Sequence, residues 1–202
     1  MRRVVVLGLL ALALPIAAWA DGISLTNQFG TIAYSGAGIA STGSQLTSFN
    51  GISAAPGHSL GSVSFTTGAM NGGTLAGGGT FSSVGSTFNV VGKGNWAYGH
   101  NTAIFTGSFV GDVSWTLTAV SGQTKTFTLV GAISGQLWDG RTVTGKTQQT
   151  VLVLNGNQFL QGAGHIHAGT SNLTVPEPGT LGLLGTGLVG IAGMFRRKLI
   201  GG

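Results

Sequence analysis

Val113-Ser114-Trp115-Thr116-Leu117-Thr118-Ala119-Val120 alternates apolar and polar side chains, and after Ser121-Gly122-Gln123 the alternation resumes through Phe127, Leu129, Gly131 and Ile133. On an extended backbone, residues two apart share a face, so each run has one face to bury and one to hydrate. Two such runs joined by a short turn read as a β-hairpin over 113–120 and 124–133. Working outward, Asp139-Gly140 carries the type I′ turn signature and separates two further strands, 133–138 and 141–150. Asn155-Gly156 repeats the signature after Val151-Leu152-Val153-Leu154, an unbroken apolar run expected to be buried on both faces. Fainter strands are expected at Thr31–Ser35, Gln45–Phe49, Gly61–Thr67, Gly79–Val84, Ser86–Gly92 and Ala103–Phe109. Residues 36–44 and 51–59 read as loops, and Leu173–Gly179 as a short stalk.

No segment between the two chain ends keeps a helical period of 3.6. Many short strands with glycine-rich turns define an all-β fold, and the expected architecture is a two-sheet antiparallel β-sandwich. A barrel or a β-solenoid is the alternative. The solenoid is suggested by Gly72-Gly73-Thr74 and Gly78-Gly79-Thr80, but no constant period extends beyond that pair.

The two ends differ from this body. Arg2-Arg3, the apolar Val4–Leu14, Pro15 and Ala18-Trp19-Ala20 form a secretory signal peptide, residues 1–20, expected as a helix removed after Ala20. At the other end Pro176 and Pro178 bracket the only glutamate in the chain, Glu177. Proline fixes φ and biases the preceding residue toward extended backbone, so this peptide is stiff and non-helical. Leu181–Phe195 follows without a charge and is expected to be a transmembrane helix. At ~1.5 Å per residue it spans roughly 22 Å, short for a lipid core, but Arg196-Arg197-Lys198 stop it abruptly, as basic residues do on the cytoplasmic side. Gly187, Gly190 and Gly193 favour close helix approach in lipid.

Val175-Pro176-Glu177-Pro178-Gly179-Thr180, the Leu- and Gly-rich run and the basic stop together resemble the PEP-CTERM sorting signal of Gram-negative-type bacteria. The resemblance is confined to residues 175–202. It implies recognition by an exosortase, a membrane-embedded cysteine transpeptidase-like enzyme acting near Val175, Pro176, Glu177 and Pro178. It also implies an inner-membrane intermediate, then release or transfer to the cell surface or exterior, in the company of exopolysaccharide and biofilm components.

Five of the nine Lys and Arg residues lie in these targeting ends. The body, residues 21–174, keeps Lys93, Lys125, Arg141 and Lys146 against Asp21, Asp112 and Asp139, a net charge of +1. Its basic residues are dispersed, so a nucleic-acid face is excluded. With no cysteine, an exported body of this size must hold itself by packing and backbone pairing.

Chemical constellations are sparse. His165-Ile166-His167 places two imidazoles on one strand face, the start of a metal site, but a third ligand from His58, His100 or an aspartate stands at no telling spacing. The pair is expected to face solvent and the body to need no metal or other cofactor. Glycoside hydrolysis needs two carboxylates, and Asp112 and Asp139 both suit turns. No Gly-x-Ser-x-Gly elbow places a serine beside a His–Asp pair, and Gly92-Lys93-Gly94 is too short for a phosphate loop. Trp115 belongs to the buried alternation. Trp96, Tyr98 and Trp138 are the candidate glycan contacts, since exposed aromatic faces stack on sugar rings. The expectation is therefore an exported surface or matrix protein without catalytic activity. A carbohydrate-binding module acting on exopolysaccharide is the alternative, and a hydrolase a distant third.

Overall fold

The computed structural model describes residues 22–94, 96, 102–154 and 164–175. The signal helix expected at 1–20 and the transmembrane helix expected at 181–195 lie outside them, as does the Asn155-Gly156 turn. Among the described residues no helix is long and apolar enough to cross a membrane.

Twelve strands follow one another: β1 (Gly22–Gln28), β2 (Thr31–Ser35), β3 (Gly38–Phe49), β4 (Ile52–Ser53), β5 (Gly61–Thr66), β6 (Met70–Thr74), β7 (Gly78–Phe81), β8 (Thr87–Gly92), β9 (Ala103–Ser121), β10 (Thr124–Leu137), β11 (Thr142–Val153) and β12 (Gly164–Thr174). The ladder runs β10-β11-β12-β1-β3-β5-β8-β9, and β9 pairs back onto β10, closing an eight-stranded antiparallel barrel. β1 and β2 are one wall strand interrupted at Phe29-Gly30, since both lie between β12 and β3. β5 leads into β6 and β7 into β8 as the two arms of a long hairpin, β6 on β7 and β5 on β8. The chain thus climbs and descends the wall in sequence order, and β12 returns to β1 with Thr174 opposite Gly22.

This closed ring corrects the expected sandwich. Alternation alone is common to both architectures; closure comes from the pairing of the first strand with the last and from bulges. Register shifts interrupt the ladders at Thr26/Asn27, Ser41/Ser44, Val90/Val91, Val130/Ala132 and Thr150/Val151. Each adds local twist and bend, which is how a sheet curls onto itself. The two Gly-Gly-Thr segments are partners in one hairpin, Gly73 opposite Gly79, rather than successive solenoid rungs.

The hairpin expected at 113–133 is the β9–β10 pair, with Leu129 opposite Trp115 and Thr124 opposite Ser121. Three other expectations fail. Residues 38–44 are strand, not loop. Val151 and Val153 are buried but Leu152 is half-buried and Leu154 exposed, so this strand has one wet face, as any wall strand of a barrel must. Leu173 and Thr174 belong to β12, so no stalk begins before Val175, itself half-buried against the core.

The barrel is filled. Trp115, Phe65, Phe81, Phe88, Phe105 and Phe127 are its largest fully buried side chains. Phe88 packs on Phe65, Phe105 and Phe109 at centroid distances of 6.0, 6.1 and 5.9 Å. Trp115 stacks on Phe127 at 4.5 Å and donates its Nε1–H to the Leu75 carbonyl at 3.0 Å. Such pairs add about 0.5–1.5 kcal/mol each beyond burial. The outer wall is polar, with Thr26, Thr128, Lys146, Gln148, Thr150, Thr170 and Asn172 at outward positions, whereas a barrel embedded in lipid turns an apolar band outward.

At the seam where early and late strands meet, the interior is polar instead. Asn27 (β1), Ser44 (β3), Thr147 and Gln149 (β11) and Ser171 (β12) are buried and mutually hydrogen-bonded. The cluster packs over Gly169, where a Cβ would collide with Gln149 Oε1 and Asn27 Oδ1.

Candidate functional site

The strand directions sort the loops between two rims. One rim carries the tight turns after β2, β6 and β9. The other, here the chain-end rim, carries the start of β1, the end of β12 and the connections after β3, β8 and β10. A cleft of about 160 Å³ opens on the chain-end rim, lined by Phe49, Asn50, Ile52, Trp96, Thr102, Ile104 and Trp138.

Each wall of the cleft is fixed by its own local structure. Phe49 ends β3 and is almost buried. The next residue, Asn50, has φ of 46°, a left-handed conformation that asparagine tolerates better than most residues, and donates its N–H to the Ser24 carbonyl at 2.7 Å. Trp96 donates its indole Nε1–H to the Leu60 carbonyl at 3.0 Å, and the Lys93 N–H reaches the same oxygen at 2.7 Å. Trp138 sits in the β10–β11 turn, its N–H bonded to the Ile104 carbonyl at 3.0 Å. That turn is not type I′. The Gly140 N–H bonds the Leu137 carbonyl at 3.0 Å, and Gly140, with φ of 81°, is followed by Arg141, whose carbonyl accepts from Leu137 N–H. This is a type I turn closed by a glycine bulge, which places Trp138 at a central position, facing the rim.

Phe49 joins the two tryptophans. Its centroid lies 5.6 Å from Trp96 with planes 48° apart, and 6.4 Å from Trp138 at 66°. Both indoles are half-buried. The sequence-derived candidates Trp96 and Trp138 therefore share one site, but as walls of a cleft rather than a flat platform. Tyr98 and His100 lie outside the described residues.

Among the described residues no charged side chain lines the cleft. Beside it, in the turn, Asp139 accepts from the Arg141 backbone N–H at 3.0 Å and from Arg141 Nε at 2.6 Å. The backbone bond first, and the guanidinium second, hold this carboxyl below the ordinary aspartate range. Asp112 is elsewhere, in β9, where its Oδ1 accepts from Asn71 Nδ2 at 2.9 Å.

His165 and His167 are exposed on the outer face of β12, His165 opposite Leu152 on one side and Thr31 on the other. Among the described residues no three His, Asp or Glu side chains group as a metal site would require. Gly57-His58-Ser59-Leu60-Gly61 fits the Gly-x-Ser-x-Gly pentapeptide. It runs through the β4–β5 connection into a strand, without the strand–turn–helix setting that makes the elbow a nucleophile, and His58 is exposed.

Val175 is the one member of the Val-Pro-Glu-Pro motif within the described residues; Pro176, Glu177, Pro178, Arg196, Arg197 and Lys198 lie outside them. Residues 174–198 match the PEP-CTERM protein-sorting motif. The motif implies an exported protein processed by an exosortase-like enzyme, with a cell-surface or extracellular destination. No curated protein and no solved structure matches the chain.

Proposed function

We propose that the mature protein is a non-catalytic component of the cell surface or extracellular matrix. It is exported by residues 1–20, held as an inner-membrane intermediate by 181–195 with Arg196-Arg197-Lys198 on the cytoplasmic side, and processed near Val175–Pro178. The observation that carries the non-catalytic reading is the placing of Asp112 and Asp139, the carboxylates among the described residues. Asp112 lies in β9 beside the middle of β10, and Asp139 lies beyond the end of β10. At ~3.3 Å per residue they stand on the order of 20 Å apart along that strand, against roughly 5–10 Å for a hydrolytic pair. Each is also occupied by a neighbour's N–H.

A second reading, carbohydrate binding to exopolysaccharide, is favoured by the Trp96–Trp138 cleft. Small-ligand sites are typically apolar and aromatic concavities with a few polar groups at the edge.

Mass spectrometry of protein from the cell exterior tests the sorting route: an N-terminus at Asp21 and no peptides beyond Pro178 are expected, and intact peptides reaching Arg196 would defeat it. A glycan array with the purified barrel tests the second reading. Turnover of a chromogenic ester or glycoside that disappears in Ser59→Ala, or in Asp112→Asn with Asp139→Asn, would overturn the non-catalytic assignment.

A further inference from the structure

We infer that the Trp96–Trp138 cleft takes the end residue of a neutral polysaccharide, one sugar ring deep. The inference rests on the carbohydrate-binding reading and goes beyond it in naming which part of a glycan is held and of what charge.

Size comes first. An apolar cavity of about 150 Å³ accommodates one benzene-sized ring. The cleft, at about 160 Å³, matches one six-membered ring. A protein that grips the interior of a glycan chain needs a groove long enough for several residues. Here the floor is closed by Ile104 and Phe49, which are 3% and 7% exposed, and the two indoles rise from it at an inclination to Phe49. A cleft of this size suits the end of a chain.

The chemistry of the walls selects a sugar. A pyranose has apolar C–H faces and a hydroxylated edge. Trp96 has already given its N–H to the Leu60 carbonyl, so what it offers a ligand is its ring. The polar groups of the lining are the Asn50 amide and the Thr102 hydroxyl, an acceptor–donor set suited to hydroxyls. Among the described residues the lining has no cation for a uronate or sulfate, and the guanidinium of nearby Arg141 is engaged by Asp139. Neutral residues are the class that fits.

The cleft is also set before any ligand arrives. Asn50, Trp96 and Trp138 are each tied by a backbone or indole N–H to a carbonyl of another strand or loop. The Trp96 ring is held directly and the backbones that carry Asn50 and Trp138 are fixed, which removes part of the ordering cost of binding.

The test uses the barrel, residues 21–175, because Gly22–Val175 is one compact unit with its own core. The best neutral ligand is taken from an array of glucose-, galactose-, mannose- and N-acetylglucosamine-ended glycans. Its Kd is then measured for the methyl glycoside and for linear chains up to the hexasaccharide. Chain-end binding predicts a Kd constant within about tenfold across that series; a larger gain with length overturns the inference. Trp138→Ala should abolish binding. Asn50→Gly, which keeps the left-handed backbone without strain, should weaken it about tenfold, the loss of one hydrogen bond, at an unchanged melting temperature. Binding that survives both substitutions overturns the assignment to this cleft. Preference for acidic over neutral glycans would sink the inference while leaving carbohydrate binding intact. No binding of any glycan below about 10 mM by folded protein ends both, and capture of benzene or indole alone would mark a purely apolar cleft.

Discussion

Asn27 and Gln149 exchange two hydrogen bonds across the barrel interior: Asn27 Nδ2 donates to Gln149 Oε1 at 2.9 Å, and Gln149 Nε2 donates to Asn27 Oδ1 at 3.2 Å. Both are fully buried and 122 residues apart in the chain. Asn27 also donates to Ser44 Oγ, Gln149 to Thr147 Oγ1, and Ser171 to the same Thr147 oxygen. The set ties β1, β3, β11 and β12 together across the seam that closes the ring. Its members can all be satisfied only in one register, since a one-residue slip turns every inward side chain out.

Removing one partner leaves the other amide buried and unsatisfied, at a cost of about 1–3 kcal/mol per group. Asn27→Ala and Gln149→Ala should each destabilise the barrel by roughly 2–3 kcal/mol in urea unfolding, and the double variant by less than their sum, with a coupling of about 1 kcal/mol or more. Additive losses would mean the amides do not act as a pair.

Gly169→Ala should disturb the polar cluster directly. The new methyl would press on the two amide oxygens, Gln149 Oε1 and Asn27 Oδ1. A loss of about 2 kcal/mol or more is expected, partly recovered when Gln149 is shortened to alanine in the same chain. An unchanged unfolding midpoint in Gly169→Ala would show that the cluster has slack.

Ser41 points in the other direction. Its Oγ is buried without a hydrogen-bond partner. An unsatisfied hydroxyl costs about 1–3 kcal/mol, so Ser41→Ala should raise stability by roughly 1 kcal/mol, measured by the same unfolding experiment. A destabilised Ser41→Ala would point to a bound water completing that site.

Asp139 gives a pH signature. Its folded pKa lies below the ordinary ~3.9 of an unfolded chain, so its contribution is fully present above that value and is lost as pH falls through the folded value. The side chain is exposed, so the effect belongs to the turn and not to global stability. The Arg141 amide resonance should therefore hold its position down to about pH 4 and shift only below it. A midpoint above ~3.9 would contradict the bond pattern at this turn.

What the sequence disclosed follows from where alternation is clean. Trp115, Leu117, Phe127, Leu129 and Ile133 announce their hairpin because their inward positions are all apolar. β3 hides itself because Ser41 and Ser44 face inward, and a polar residue at an inward position looks like loop. Asn27 and Gln149 are silent for the same reason: each is an ordinary strand amide until its partner is known. Closure was illegible because a bulge glycine such as Gly43 or Gly111 reads like any turn glycine and because the pairing of Gly22 with Thr174 joins the two ends of the domain. Trp96 and Trp138 could be chosen as aromatics near turns. That Phe49 seats them in one cleft depends on β3, β8 and β10 all finishing at one rim.

The chain leaves the barrel from the rim that holds the cleft, Val175 following directly on Thr174. This has a practical side for anyone who wishes to display or immobilise the protein. A carrier fused immediately after Val175, or before Gly22, starts on the same rim as the Trp96–Trp138 opening. One inserted at Gly122, in the tight turn between β9 and β10, hangs from the far side and leaves the opening clear.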